Sequence, residues 1–119
     1  MITNILTGLV AFLHFYFMYL EMFVWVTPKG RKIFGQTLEQ AKSSQKLAFN
    51  QGLYNGFLAA GLVWAFFESE PIFAKSIRVF FLICVIVAGL VGGWTVNKKI
   101  YFVQAVPAVL AMASVIFAL

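Results

Sequence analysis

The chain alternates between long apolar stretches and short polar connections. The apolar stretches cover residues 2–26, 47–67, 74–94 and 100–118. A helix needs about 20 apolar residues to cross a hydrocarbon core of roughly 30 Å. The pattern therefore predicts an all-α membrane protein, with four transmembrane helices in an up-down bundle and a single domain over residues 1–119. Pro107 lies in the middle of the fourth stretch and predicts a kink there.

Residues 30–46 form the longest polar connection. Ile33, Phe34, Leu38 and Ala41 recur within it at helical spacing. This spacing favours a short amphipathic helix on the membrane surface, between the first and second spans. A solvated loop is the alternative interpretation.

Composition and charge agree with a membrane location. Hydrophobic residues make up 62% of the chain and charged residues 11%, against about 25% charged in a typical soluble domain. The net charge of +5 does not indicate nucleic-acid binding, because the nine Lys and Arg fall almost wholly between apolar stretches. Seven of the nine lie in the first and third connections. The other two, Lys75 and Arg78, belong to the second connection and the start of the third stretch. This asymmetry predicts that the first and third connections face the cytoplasm and that both termini lie outside the cell membrane.

Two ionisable residues interrupt the first apolar stretch. His14 and Glu21 are seven residues apart, so on a helix they share a face and lie about 10 Å apart along the axis. Such groups are costly in a membrane and therefore suggest a function. The structural alternatives are a neutral His14 bonded across the bundle, and a Glu21 that reaches the interface to pair with Lys46 or Lys99.

A polar block, residues 50–61, opens the second predicted span. Gln51 and Asn55 share one helix face beside a ridge formed by Gly52, Gly56 and Ala60. Glycines allow a neighbouring helix to approach and amides bind across such contacts, so the block predicts an inner helix. In the alternative interpretation, these amides hold helices together and bind no ligand.

The predicted topology places Glu21, Gln51, Asn55 and Gln104 at a similar membrane depth, in a polar pocket that is open to the cytoplasm and has His14 as its floor. Aromatic residues near the span ends supply its walls or, alternatively, act as interfacial anchors. The candidates for ligand binding or proton exchange are His14, Glu21, Trp25, Gln51, Tyr54, Asn55 and Gln104. No metal site or cofactor is expected, because one His and one Cys are too few for a protein-bound zinc ion.

The chain resembles a family of small bacterial integral membrane proteins known as domain of unknown function 1304. The resemblance rests on His14 and Glu21, on Trp25 followed by Thr27-Pro28-x-Gly30, on Phe34, and above all on the block from Asn50 to Ala59. It implies a four-helix protein of the bacterial inner membrane and no particular activity.

Three functions compete at this point. The first is binding or transport of a small lipophilic or cationic compound or a lipid, with proton and cation competing for Glu21; small multidrug transporters have a similar layout, although their motifs do not align. The second is a non-catalytic structural or assembly partner. The third is an intramembrane enzyme doing acid-base chemistry on a lipid-like substrate, similar in spirit to sterol isomerases. The lipid bilayer is the expected partner, and a homodimer would enlarge the pocket.

Overall fold

The computed structural model describes all 119 residues and contains helices without any strand. The all-helical prediction is confirmed. The helices are α1 (Ile2–Tyr19), α2 (Pro28–Phe34), α3 (Leu38–Phe67), α4 (Pro71–Thr95) and α5 (Val106–Ile116). A first π turn, Leu20–Val24, continues α1, and a second π turn, Tyr101–Ala105, precedes α5.

Two helical stretches are long and apolar enough to cross a membrane. They are Ile2–Val24 and Pro71–Thr95, and they overlap the first and third predicted spans. Only 33% and 22% of their most apolar parts are buried inside the protein, so most of their side chains face outward. The helix α3 and the shorter stretch Tyr101–Ile116 are not among the candidate spans. The four-span bundle therefore stays a prediction.

The helix α3 begins well before the second predicted span. Thr37 and Gln40 start it with reciprocal bonds: the Gln40 amide N–H donates to Thr37 Oγ1 at 3.1 Å, and the Thr37 N–H donates to Gln40 Oε1 at 3.0 Å. This capping box satisfies two N–H groups that a helix start leaves unpaired. The long polar connection therefore consists of α2 and the first turns of α3, instead of one surface helix or a loop.

Pro107 lies inside a continuous helical stretch, where the second π turn passes into α5, at the position where the sequence predicted a kink. Its missing N–H removes one helical hydrogen bond there. The irregularity lies just before it, in the second π turn, where the Val106 N–H donates to the Tyr101 carbonyl. The fourth apolar stretch is therefore divided into a π turn and a regular helix.

The chain forms two compact units, and the first comprises Met1–Phe12 with Leu58–Leu119. Its core takes apolar side chains from four helices: Val10, Ala11, Leu62, Leu82, Val85, Ala108, Ala111 and Val115. Small residues bring the chain close together at Gly89, where an added Cβ would lie 2.7 Å from the Ala105 backbone nitrogen. Apolar packing therefore organises this unit.

The second unit, Leu13–Phe57, is organised by a corner at residues 24–30, between the first π turn and α2. Thr27 caps α2: its Oγ1 accepts from the Gly30 N–H at 3.2 Å and donates to the Val24 carbonyl at 2.6 Å. Gly30 lies so close to Val24 that a Cβ would overlap its carbonyl oxygen. A threonine cap, a proline in the first turn and this glycine together explain why α2 starts where it does.

Candidate functional site

The first π turn carries Glu21 on the buried side of the second unit. Leu20, Glu21 and Val24 are all buried, and the Glu21 side chain is only 6% exposed. A π turn adds a residue to a helical turn and so changes which side chains follow one another on a face; such turns are frequent at functional sites. Here it lies where the buried Glu21 meets α3.

The carboxylate of Glu21 is bound by an amide from α3. The Nδ2 group of Asn55 donates a hydrogen bond to Glu21 Oε1, which joins the end of α1 to the polar block of α3. The interaction with Lys46 or Lys99 that the sequence left open is not the one that the structure describes for Glu21. The neutral Asn55 amide satisfies one carboxylate oxygen without neutralising the charge.

Glycines allow this contact. A Cβ at Gly52 would lie 2.7 Å from Met22 Cγ and 3.1 Å from Glu21 Cβ, and a Cβ at Gly56 would lie 2.6 Å from Met18 Sδ. A larger residue at either position would first displace the side chain of Met18 or Met22, and at Gly52 it would also approach Glu21 Cβ and the Met18 carbonyl oxygen, at 3.1 and 3.2 Å. The glycine ridge predicted from sequence is therefore part of the site.

Met18 and Met22 complete this group, although sequence reasoning did not select them. Their side chains fill the space against Gly56 and Gly52, and Gly52 also faces Glu21 Cβ. Their spacing of four residues, on the same helical stretch as Glu21, was the available signal. Methionine is unbranched and flexible, so these two side chains are the part of the site that is able to rearrange.

His14 is the other buried ionisable residue of the second unit. Its side chain is 1% exposed, and its ring meets the Phe17 ring edge-on at 5.3 Å between centroids. A role in proton exchange with Glu21 stays a prediction.

Trp25 has a clear contact role at the corner. Its indole Nε1 donates to Ser44 Oγ at 3.1 Å, and its ring lies 4.6 Å from the Phe34 ring between centroids. Trp25 therefore connects the end of the first π turn to both α2 and α3. Ser44 was not predicted from the sequence, since a lone serine in a polar segment carries no distinguishing signal.

The remaining candidates lie elsewhere. Gln51 and Tyr54 are exposed on α3, and Tyr54 contacts Phe57 on the same helix. Gln104 belongs to the first unit, half-buried in the second π turn. The structure thus brings Asn55 to Glu21, with Gly52 and Gly56 beside them. No group of three His, Cys, Asp or Glu side chains that could hold a metal ion is present.

Comparison with known proteins identifies the family. The model of a family described as protein of unknown function (DUF1304) matches residues 8–116. The chain belongs to the DUF1304 family. It is also 39% identical, over 118 residues, to the uncharacterized protein YpaA of Lactococcus lactis subsp. lactis (strain IL1403), with 98% of each chain covered. No solved structure matches. The resemblance noted from sequence is confirmed, and it assigns no activity.

Proposed function

We propose that this DUF1304 protein is a four-span protein of the cytoplasmic membrane. The spans would be Ile2–Val24, the C-terminal part of α3, Pro71–Thr95, and Tyr101–Ile116. Outward-facing apolar side chains support this, because Phe12, Phe23 and Phe80 are each at least 60% exposed, and a soluble protein rarely exposes so much apolar surface. The distribution of Lys and Arg supports a cytoplasmic α2 corner and external termini.

Within this membrane protein, we infer that Glu21 binds a small lipophilic cation in competition with a proton. The observation that carries this proposal is a carboxylate, 6% exposed, in a candidate span, bound by a neutral amide. An uncompensated carboxylate in a membrane costs about 2.5–3.5 kcal/mol on insertion scales. A glutamine would make a similar contact with Asn55 at lower cost, so the helix contact alone does not explain the carboxyl group, and exchange of charge does.

The side chains around Glu21 suit a lipophilic ligand. Met18 and Met22 are apolar and polarizable, and they occupy the space beside the two α3 glycines. Reorientation of these thioethers would expose the carboxylate without a change in the backbone. The ligand's apolar groups would then take the place of the methionine side chains, and its charge would be neutralised by Glu21.

A structural role is the second candidate, and the same contacts favour it. Asn55, Gly52 and Gly56 form the close, polar helix contact that holds many membrane helices together. In this role, the Glu21–Asn55 bond would specify the packing of α3 against the end of α1, and no ligand would enter.

The two functions are separated by the variant Glu21→Gln. Purified protein is titrated with tetraphenylphosphonium by calorimetry at pH 8 and pH 6, and its thermal unfolding is followed in the same detergent. We expect wild-type binding to weaken at pH 6, since protons compete for the carboxylate. Glu21→Gln should bind at least about tenfold more weakly at pH 8, with no dependence on pH, because the attraction between opposite charges is lost.

The matched control is Glu39→Gln, which removes an exposed carboxylate from the first turn of α3. It should bind the cation like the wild type. Wild-type protein that does not bind the cation, or equal losses in both variants, would contradict the ligand-binding proposal. If the wild type does not bind the cation, a lower unfolding temperature for Asn55→Leu, which removes the bond that Glu21→Gln keeps, would establish the structural role.

A further inference from the structure

An open cavity of about 430 Å³ lies where α2 ends and α3 begins. It is lined by Pro28, Arg31, Lys32, Gly35, Gln36 and Thr37. None of these residues takes part in the Glu21 site. Two of the six are cationic and no acidic residue lines the cavity, so its charge favours an anion.

Two polar atoms of the lining residues are buried and have no hydrogen-bond partner within the protein. One is a donor, Nε of Arg31, and the other is an acceptor, Oε1 of Gln36. Buried polar atoms are nearly always bonded in native proteins. Among the lining residues these two atoms are thus a donor and an acceptor that the protein leaves unsatisfied, and a small group with an anionic acceptor and a hydroxyl donor would complement them.

The backbone holds these residues in place. The N–H groups of Gly35 and Gln36 both donate to the Arg31 carbonyl, and Gly35 adopts the left-handed conformation with φ of 64°. The Thr37–Gln40 capping box then fixes the start of α3, whose N-terminal dipole adds positive potential. The cavity is therefore a formed feature of the corner.

Exposed apolar side chains flank the cavity on both sides along the chain. Ile33 and Phe34 at the end of α2 are 46% and 38% exposed, and Leu38 at the start of α3 is 44% exposed. A cationic cavity between exposed apolar side chains matches the boundary between lipid head groups and acyl chains. These surroundings favour an amphipathic ligand over a free soluble anion.

We propose that this cavity binds the head group of an anionic phospholipid whose phosphodiester carries a hydroxylated substituent, as in phosphatidylglycerol. Arg31 and Lys32 bind the phosphate oxygens, and Gln36 Oε1 accepts a hydrogen bond from a head-group hydroxyl. The proposal shares only the membrane location with the function proposed for Glu21. It stands whether or not Glu21 binds a cation.

The test is a titration of the full-length protein in detergent micelles, followed by native mass spectrometry. The probes are phosphatidylglycerol, phosphatidic acid, phosphatidylcholine and soluble glycerol phosphate. We expect the tightest binding for phosphatidylglycerol. Arg31→Gln and Lys32→Gln should each weaken it about tenfold, since each removes a charge-assisted bond to phosphate. Gln36→Leu should weaken phosphatidylglycerol but not phosphatidic acid, which has no head-group hydroxyl.

The matched control is Lys29→Gln, which removes the same charge from α2 outside the cavity lining. It should change the affinity by about twofold or less. Lys32 is exposed, so its variant carries the test if Arg31→Gln fails to fold. Equal losses for Lys29→Gln and Lys32→Gln, equal binding of phosphatidylcholine, or soluble glycerol phosphate bound as tightly as the lipid would each overturn the proposal.

Discussion

The buried residues of the two units differ in kind. In the first unit they are apolar side chains and small residues, and the buried polar groups are the hydroxyls of Thr7 and Ser114. In the second unit they include an imidazole and a carboxylate, those of His14 and Glu21. Both buried ionisable groups thus belong to the shorter unit, together with the capped corner at Thr27.

The two units therefore illustrate two ways of stabilising a helical structure. Apolar packing in the first unit is non-directional, so several residue types of similar volume satisfy it. The second unit depends more on directional bonds, such as those of Thr27 and Asn55, which few substitutions reproduce. We therefore expect substitutions in the second unit to have larger and more specific effects, and the predictions below compare glycines and contacts of the two units.

The largest effect is expected for Gly30→Ala in the second unit. A methyl group at this position would overlap the Val24 carbonyl and approach the Trp25 carbonyl to 3.0 Å. Backbone atoms cannot move aside as a flexible side chain does, so α2 must shift and the Thr27 cap must break. We expect a loss of at least about 3 kcal/mol in the free energy of unfolding, measured by denaturant titration in detergent.

Gly35→Ala, at the C-terminal cap of α2, is the control for Gly30→Ala. Nothing lies within 4 Å of a Cβ there, and the cost comes only from the left-handed backbone, with φ of 64°, at about 1–2 kcal/mol. A Gly30→Ala protein as stable as the Gly35→Ala protein would mean that the close contact with Val24 does not constrain the corner.

The fold class followed from the apolar pattern, but the corner did not. Periodicity reports which residues face a core, and it placed the helices at about the right positions. It does not report that Thr37 and Gln40 cap each other, so α3 was expected to begin too late. The disturbance at Pro107 was predicted from the sequence but its form was not, because a π turn and a kink both accommodate the hydrogen bond that a proline removes.

An intermediate effect is expected for Gly89→Ala in the first unit. A Cβ at Gly89 would lie 2.7 Å from the Ala105 nitrogen and 2.9 Å from its Cβ. We expect a loss of about 2 kcal/mol in the same titration. The control is Gly92→Ala on the same helix, where the nearest atom is Ile100 Cγ2 at 3.1 Å. That side chain can move, and alanine gains about 1 kcal/mol in helix propensity, so Gly92→Ala should be nearly neutral.

If Gly89→Ala and Gly92→Ala have equal effects, backbone contact does not distinguish the glycines of the first unit. If Gly89→Ala is more harmful than Gly30→Ala, the order proposed for the two units is reversed.

At the candidate site, the sequence showed which residues to select, but not which of them contact each other. Glu21, Asn55 and the glycines were selected because amides and a carboxylate are unusual in apolar stretches. Gln51 and Tyr54 share that composition, yet they lie on the exposed side of α3. The first π turn changes the helical phase at Glu21, and no residue pattern in the stretch from Leu20 to Val24 signals it. The three-dimensional structure was therefore needed to pair Glu21 with Asn55, whereas Glu21 itself could be selected from the sequence.

The smallest expected effect concerns the bond between Trp25 and Ser44. Trp25→Phe keeps an aromatic ring near Phe34 but removes the indole donor, whose bond to Ser44 Oγ measures 3.1 Å. Ser44→Ala removes the acceptor from the other side, and with it a bond from Ser44 Oγ to the Gln40 carbonyl. A double-mutant cycle separates the shared bond from these other losses. We expect a coupling energy of about 0.5–1 kcal/mol, the usual value for one such bond. Additive losses in the double variant would show that the indole contributes through its ring contact with Phe34 alone, and the second unit would then depend on one directional bond fewer.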